Sequence, residues 1–368
     1  MDKYKTNSAF NKWFSSIKLD FLPSSIQKKI VDFDKYHKKL SFSQALQLFL
    51  HGINDEKESL REMNAAFVSK ELQKEMGMTS ISYSQLSRTL SKIDSEILLA
   101  IFSQLVSQAK NKRPVTKRNS LYLIDSSTFS LNQNLYQWAD FRKTTSGVKL
   151  HLKLCFMDND HLYPDEFTLT NAVEHDTNQL EVLVNQPEAT YVFDRGYLDF
   201  ERLDTMHSQG YFFVTRIKKN TKVHVLEPLV ASKSESVISD QMVALGAQNH
   251  LTSRFRLVTV QDKKGKTLQF ITNRFDCSST DIAEMYKARW QIELFFKHIK
   301  QHMTIKKFFS RSEKGVVNQL ILAMIASLLT YLIKLKTKSN QSVFQIKRFF
   351  RYLLFQPAEE WFNLLIPT

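Results

Sequence analysis

The sequence predicts an α/β protein with a mixed core, an α-helical N-terminal domain before it, a β-rich insertion within it and helices after it. Three observations carry that prediction. Residues 1 to about 110 place apolar residues at helical spacing. From Leu121 onward, short β-branched and aromatic runs alternate with helical segments. Two of those runs, LYLID at Leu121–Asp125 and YVFD at Tyr191–Asp194, deliver an aspartate at the strand end, the edge where ligands bind in α/β sheets.

Composition bounds the partners. The 368 residues carry a formal net charge of +14, and the isoelectric point is about 9.5. Such a cation excess favours a polyanion, either nucleic acid or an anionic membrane surface. Cys155 and Cys277 form neither a metal-type spacing nor a disulfide framework, so a reducing, cytoplasmic setting is the default. The N-terminus lacks a signal-peptide pattern. Leu320–Ile333 is apolar but interrupted by Ser327, Thr330 and Tyr331, and shorter than the ~18–20 residues a span needs; it reads as a buried core helix, not a membrane span. With 8 glycines and no GxGxxG or GxxxxGK[ST], no Gly-rich phosphate loop is available.

The elements follow in order. Phe42–His51 has helical periodicity, and Glu56–Met63 continues in helix-favouring residues. Ile81–Ile93 resembles a turn plus helix with Ser82 or Ser84 as cap, and both a helix-turn-helix DNA reader and a plain bundle fit it. Lys110–Arg118 is a basic connector and a candidate phosphate-contacting arm. Gly147–Met157 alternates strictly, predicting a half-buried strand with Lys149, His151 and Lys153 on its polar side; Leu162–Thr170 returns as a partner. Val173–Val184 reads as a helix with His175 and Asp176 near its start, either capping it or forming part of a site, Ala189–Phe193 as a strand, Leu198–Gln209 as a helix and Tyr211–Ile217 as a strand. Lys218 to Arg274 is β-like, with a hairpin turning at Asp262–Lys266, and Asp281 with Glu284 resembles a capping box. The expected domains are 1–115, a core of 116–217 with 275–335, an insertion at 218–274, and a helical close at 336–368, including Phe344–Phe355 and Ala358–Leu365.

Tyr286–Lys300, YKARWQIELFFKHIK, reads as one amphipathic helix. Tyr286, Arg289, Glu293 and Lys300 fall within an arc of roughly 60°, opposite Met285, Ala288, Ile292, Phe295, Phe296, Ile299 and Met303. Alone, this face is equally an ion-pair ladder in solvent. Together, Asp125, Asp194 and Glu293 form a set of hard oxygen donors without His or Cys, which suits Mg²⁺ or Mn²⁺ rather than zinc. Two such ions about 3.5–4 Å apart run phosphoryl transfer by positioning and charge neutralisation. Arg289 and Lys300 are then candidate phosphate clamps, and Tyr286 a donor to phosphate or a stacking platform.

Tyr286-x2-Arg289-x3-Glu293-x6-Lys300 resembles the YREK signature of bacterial insertion-sequence transposases of the IS-four group, DDE enzymes with an RNase H-like catalytic core. LYLIDSST and YVFDRGY resemble the family's two Asp strands, Phe141–His151 and Phe212–Asn220 its flanking segments, and the N-terminal region with Ser59–Glu62 a helical domain that precedes the core in one subgroup. The resemblance implies binding of double-stranded DNA at terminal inverted repeats and at the target. It also implies Mg²⁺-dependent nicking, strand transfer by the freed 3′-hydroxyl, a β-rich insertion, a homodimer on paired ends, and action in the bacterial cytoplasm at the nucleoid. Other readings remain open on the residues: a DNA-binding protein of the same fold without catalysis, a recombinase using Tyr286 as covalent nucleophile, and a structural module of nuclease fold.

Overall fold

Thr190–Phe193 is buried at all four positions, as expected of a central strand covered on both faces. This strand, β4, pairs in parallel with β1 (Leu121–Ser130) on one side and β5 (Phe212–Arg216) on the other. The computed structural model describes residues 8–36, 39–112, 120–139, 147–172, 174–230, 236–246, 253–303, 305 and 307–366. Most of the basic connector, the first part of Phe141–His151, Val173 and Lys306 lie outside the described residues.

The chain divides into two compact units, one of Met1–Pro114, Phe129–Val148 and Phe296–Thr368, the other of Val115–Thr128 and Lys149–Phe295. The second unit holds most of a nine-stranded sheet ordered β3-β2-β1-β4-β5-β9-β8-β7-β6. Its remaining strands are β2 (Gly147–Asp158), β3 (His161–Asn171), β6 (Val223–Pro228), β7 (Val237–Leu245), β8 (Phe255–Gln261) and β9 (Thr267–Thr272). Residues 218–274 thus supply four strands that extend the core sheet, because β9 pairs antiparallel with β5 and continues through β8, β7 and β6.

Two readings of strands need correction. β1 does not stop at Asp125; it runs on to Ser130, while its pairing with β4 ends at Ile124 opposite Phe193. β2 is not half-buried. His151 and Lys153 are both 0% exposed. Tertiary partners make that burial tolerable: Lys153 donates to Glu166 and Asn185 at 2.6 and 2.8 Å, and His151 meets Thr170 at 2.8 Å. A buried charge with several hydrogen-bond partners is stable where a lone one is not, and alternation cannot reveal such partners.

The helix of the second unit that lies on β4, β5, β7, β8 and β9 is α10 (Ser279–Ala288). Its capping box is Ser278 with Asp281, one turn earlier than Asp281 with Glu284. A buried ion pair holds this start in place. Arg256 of β8 pairs with Asp240 of β7 and donates to the Cys277 carbonyl, while Ser279 donates to Asp240 at 2.6 Å. Before it come α8 (Asp176–Leu183) and α9 (Phe200–Ser208); after it comes α11 (Trp290–His302), which runs on into the first unit.

The first unit is helical, as its periodicity predicts: α1 (Ala9–Phe14), α2 (Ser24–Tyr36), α3 (Phe42–Asn54), α4 (Leu60–Ala65), α5 (Lys70–Met76), α6 (Tyr83–Lys92) and α7 (Ser95–Lys112), then α12 (Glu313–Thr337), α13 (Val343–Leu353) and α14 (Ala358–Leu365). Its axis is α12, which touches α1, α3, α6, α7, α13 and α14. At 25 residues α12 is long and apolar enough to cross a membrane, yet 94% of its apolar window is buried inside the protein. Burial, rather than length, makes it a core helix.

Candidate active site

The parallel register decides the site. Leu121 to Ile124 face Thr190 to Phe193 in step, so the next position in each chain brings Asp125 beside Asp194. In the same way Val192 faces Val214, and β5 ends at Arg216, which together with Asp194 acts electrostatically on Tyr286. Asp194 also caps the short turn Arg195–Tyr197, accepting from the Gly196 amide at 3.3 Å.

Glu293 and Arg289 approach from the helical side. Tyr286 to Lys300 is not one continuous helix: α10 ends at Ala288, and Arg289 lies at the junction with α11. There Arg289 bonds back to Tyr286, and Ile292 to Arg289, in tighter three-residue steps. The guanidinium of Arg289 is anchored off the helix, with Nη2 2.5 Å from Glu293 Oε1 and Nη1 3.5 Å from Asp125 Oδ2. It also lies 5.7 Å from the Tyr286 ring centroid. Arg289 itself keeps right-handed helical dihedrals (φ −53°, ψ −30°), so the interruption is a single tightened turn.

The electrostatics agree with a shared site. Burial pushes the Asp125 carboxyl up to about 6; Asp194 and Glu293 push in the same direction, while the Ser126 amide and Arg289 oppose them. Burial likewise raises the Tyr286 hydroxyl, with Asp194 adding and Arg289 and Arg216 opposing. Burial therefore favours the protonated Tyr286 hydroxyl, which can donate a hydrogen bond. Tyr286 packs its ring on Phe270 at 4.7 Å.

Lys300 belongs to the first unit, where its half-buried ammonium lies 5.1 Å from the Phe129 ring centroid and burial lowers its pKa. Arg216 is a polar neighbour that the sequence reading passed over. It occupies a strand end just as the two aspartates do, and that shared position was the available signal. Its Nε is buried without a hydrogen-bond partner among the described residues. Asp176, read as a cap, is not one: His175 is the N-cap and makes no side-chain capping bond, while Asp176 lies 3.2 Å from Lys149 Nζ and 3.4 Å from His151 Nδ1.

The donor set suits a hard divalent cation: carboxylates only, one of them made reluctant to ionise by burial, with its acidic neighbours adding to the effect. Among the described residues no group of three or more acidic, His or Cys side chains has closed to ligand geometry. Arg289 bridges Asp125 and Glu293 instead, supplying the positive charge between them.

The fold is that of an RNase H-like DDE transposase core. The solved piggyBac transposase, described as a synaptic complex with hairpin DNA, matches with a TM-score of 0.50 at 11% identity, over 96% of this chain and 81% of that one. Residues 116–329 match the family model described as Transposase DDE domain. A relative in Geobacillus stearothermophilus, named as the probable transposase of insertion sequence element IS5377, is 31% identical over 278 residues, 73% of this chain and 71% of its own. A protein of Sinorhizobium fredii named as transposase y4zB is 30% identical over 272 residues, 71% of this chain and 74% of its own. One of Synechocystis sp., named as a transposase of element IS4SA, is 25% identical over 273 residues, 71% of this chain and 75% of its own. The chain belongs to the DDE transposases of bacterial insertion sequences, in agreement with the IS-four resemblance.

Proposed function

We propose that this transposase binds the inverted-repeat ends of its element and cuts and joins DNA strands at Asp125, Asp194 and Glu293 by a metal-dependent, two-ion mechanism. The observation that carries this reading is the β1–β4 register, which brings Asp125 beside Asp194, with Arg289 linking Asp125 to Glu293. The three carboxylates would hold Mg²⁺, with Mn²⁺ as a substitute. Bound there, the cations would activate the attacking water or 3′-hydroxyl and neutralise the leaving oxygen.

The chain's own residues supply position. The sheet edge fixes the two aspartates rigidly, and the Asp240–Arg256–Ser279 cluster fixes the start of α10. Arg289 and Arg216 can each hold a phosphate by paired N–H donors. Tyr286, restrained on Phe270, offers its hydroxyl to the same backbone. Arg289 has to exchange its carboxylate partners for phosphate as DNA and cations enter. Lys300 is read as a further phosphate contact. The N-terminal helices of the first unit, the expected domain 1–115, are read as the DNA-binding part, the active species as a homodimer on paired ends, and its place of action as the bacterial cytoplasm at the nucleoid.

The test uses duplex DNA carrying the inverted repeats that flank the gene, with Mg²⁺ or EDTA. Glu293→Gln is expected to bind these ends as the wild type does and to cut none. Wild-type cleavage by that variant, or cleavage in EDTA, would overturn the assignment. Wild-type binding without cleavage under any divalent ion would favour the non-catalytic DNA-binding reading.

A further inference from the structure

We propose that α6 is the helix that reads base edges in the major groove of the element-end duplex, with Gln85 and Arg88 as its specificity-determining side chains. The proposal deepens the reading of the first unit as the DNA-binding part and rests on it.

The local chain has helix-turn-helix order. α5 ends at Gly77, whose φ of +64° is the left-handed conformation that glycine adopts freely. Ser82 then caps α6, accepting from the Gln85 amide at 3.2 Å. In this arrangement the second helix enters the groove and its N-terminal residues meet the bases.

The two faces of α6 differ sharply. Leu86, Thr89 and Leu90 are buried, and the helix packs against α3, α4 and α12. Its C-terminal end is pinned: Asn318 of α12 donates to the carbonyls of Leu90 and Ile93 at 2.8 and 2.9 Å. Ser91 bonds Ser310 and Ser312 at 3.0 and 2.8 Å. A helix held this firmly presents its outer face with little ordering cost.

That outer face carries Ser84, Gln85, Arg88 and Lys92, with Tyr83 at the N-terminal end of the helix, and α6 contains no Asp or Glu. Tyr83, Ser84, Arg88 and Lys92 are exposed and Gln85 is partly so. Arg61 of α4 lies over the Tyr83 ring at 5.4 Å, adding a cation at the N-terminal end of the helix. The side chains of Gln85 and Arg88 make no hydrogen bond or ion pair among the described residues, so both are free to engage a ligand. A protein-docking face would offer apolar area; this face offers free amide, hydroxyl and guanidinium groups with a positive balance. Those are the groups that pair with adenine N6/N7 and guanine O6/N7, and Arg88 lies three residues after Gln85 on the same face. Lys92, one turn further, suits a phosphate.

The experiment is a binding selection with the full chain. A duplex library with about 20 randomised base pairs is enriched at one fixed salt concentration on wild type, Gln85→Ala and Arg88→Ala, because affinities shift with salt. Both positions face solvent, and thermal melting checks that the variants remain folded. The wild type is expected to enrich one motif. Arg88→Ala should become indifferent at one G·C position and Gln85→Ala at one A·T position, each binding the wild-type motif about tenfold more weakly. Affinity for a scrambled duplex should change by less than about threefold, since base contacts contribute little there. If both variants enrich the wild-type motif unchanged, α6 is not the reader, and DNA-end binding by the first unit stands. If the wild type enriches no motif, both readings fall.

Discussion

The sheet edge at Asp125 and the outer face of α6 are both polar surfaces, yet they are built in opposite ways. At the sheet edge the charged groups are partly buried and occupied with each other: Arg289 contacts two carboxylates, and Asp125 is pushed up to about 6. On the outer face of α6 Arg88 is exposed and Gln85 partly so, and neither side chain is engaged among the described residues. The difference follows from the work proposed for each. Phosphoryl transfer needs charges held in a restrictive geometry, where each is worth more than in water. Reading bases needs donors and acceptors that are free until DNA arrives, on a support that does not yield.

Perturbing the occupied site should produce the largest effects. Glu293→Gln is expected to lower strand cleavage on the order of a thousandfold or more, as loss of a group that holds the reacting charge does; a gel assay on labelled ends measures it, with binding within about threefold of wild type. Next comes the support beneath that site. Asp240→Ala leaves Arg256 buried without its partner, which typically costs about 3–5 kcal/mol; urea unfolding reads the loss, and an unchanged midpoint would show that the cluster does not anchor α10.

Acid tests both units at once. Burial holds His51 of the first unit and His151 of the second down to about 4. Each is neutral when folded and takes up a proton on unfolding below its ordinary pKa of about 6.5. Stability is therefore complete above that value and is lost as pH falls towards 4, by about 3 kcal/mol per histidine. His51→Phe, placed between Phe10 and Phe355, should reduce that slope in a melting series from pH 7 to 4, the first unit keeping the share of His298, which burial also holds down.

Arg289→Ala sharpens the comparison directly. With its guanidinium gone, Asp125 and Glu293 lose the cation between them, and Mn²⁺ binding to the DNA-free protein should tighten by about tenfold, the reverse of the loss expected for DNA. Calorimetry with and without an end duplex separates the two; weaker Mn²⁺ binding would count against an arginine that competes with the ion. The smallest effect is expected from Ser278→Ala, which removes half of the α10 capping box at a cost of about 1 kcal/mol.

The sequence by itself determined the helical and mixed regions, the family and the candidate carboxylates, because each is written in local patterns. YVFD and LYLID announce strands that deliver acids, Tyr286-x2-Arg289-x3-Glu293-x6-Lys300 has a fixed spacing, and helical periodicity survives in a single chain. Tertiary structure alone decided the rest. It ran β1 past Asp125, interrupted the charged helix at Arg289, buried Lys153 and His151, and brought Arg216 and Asp194 to bear on Tyr286. These depend on partners outside the local pattern, 13 residues away for Lys153 and Glu166 and 164 for Arg289 and Asp125. Register between strands is a pairing of distant segments, so no local pattern could show that the two aspartates stand side by side.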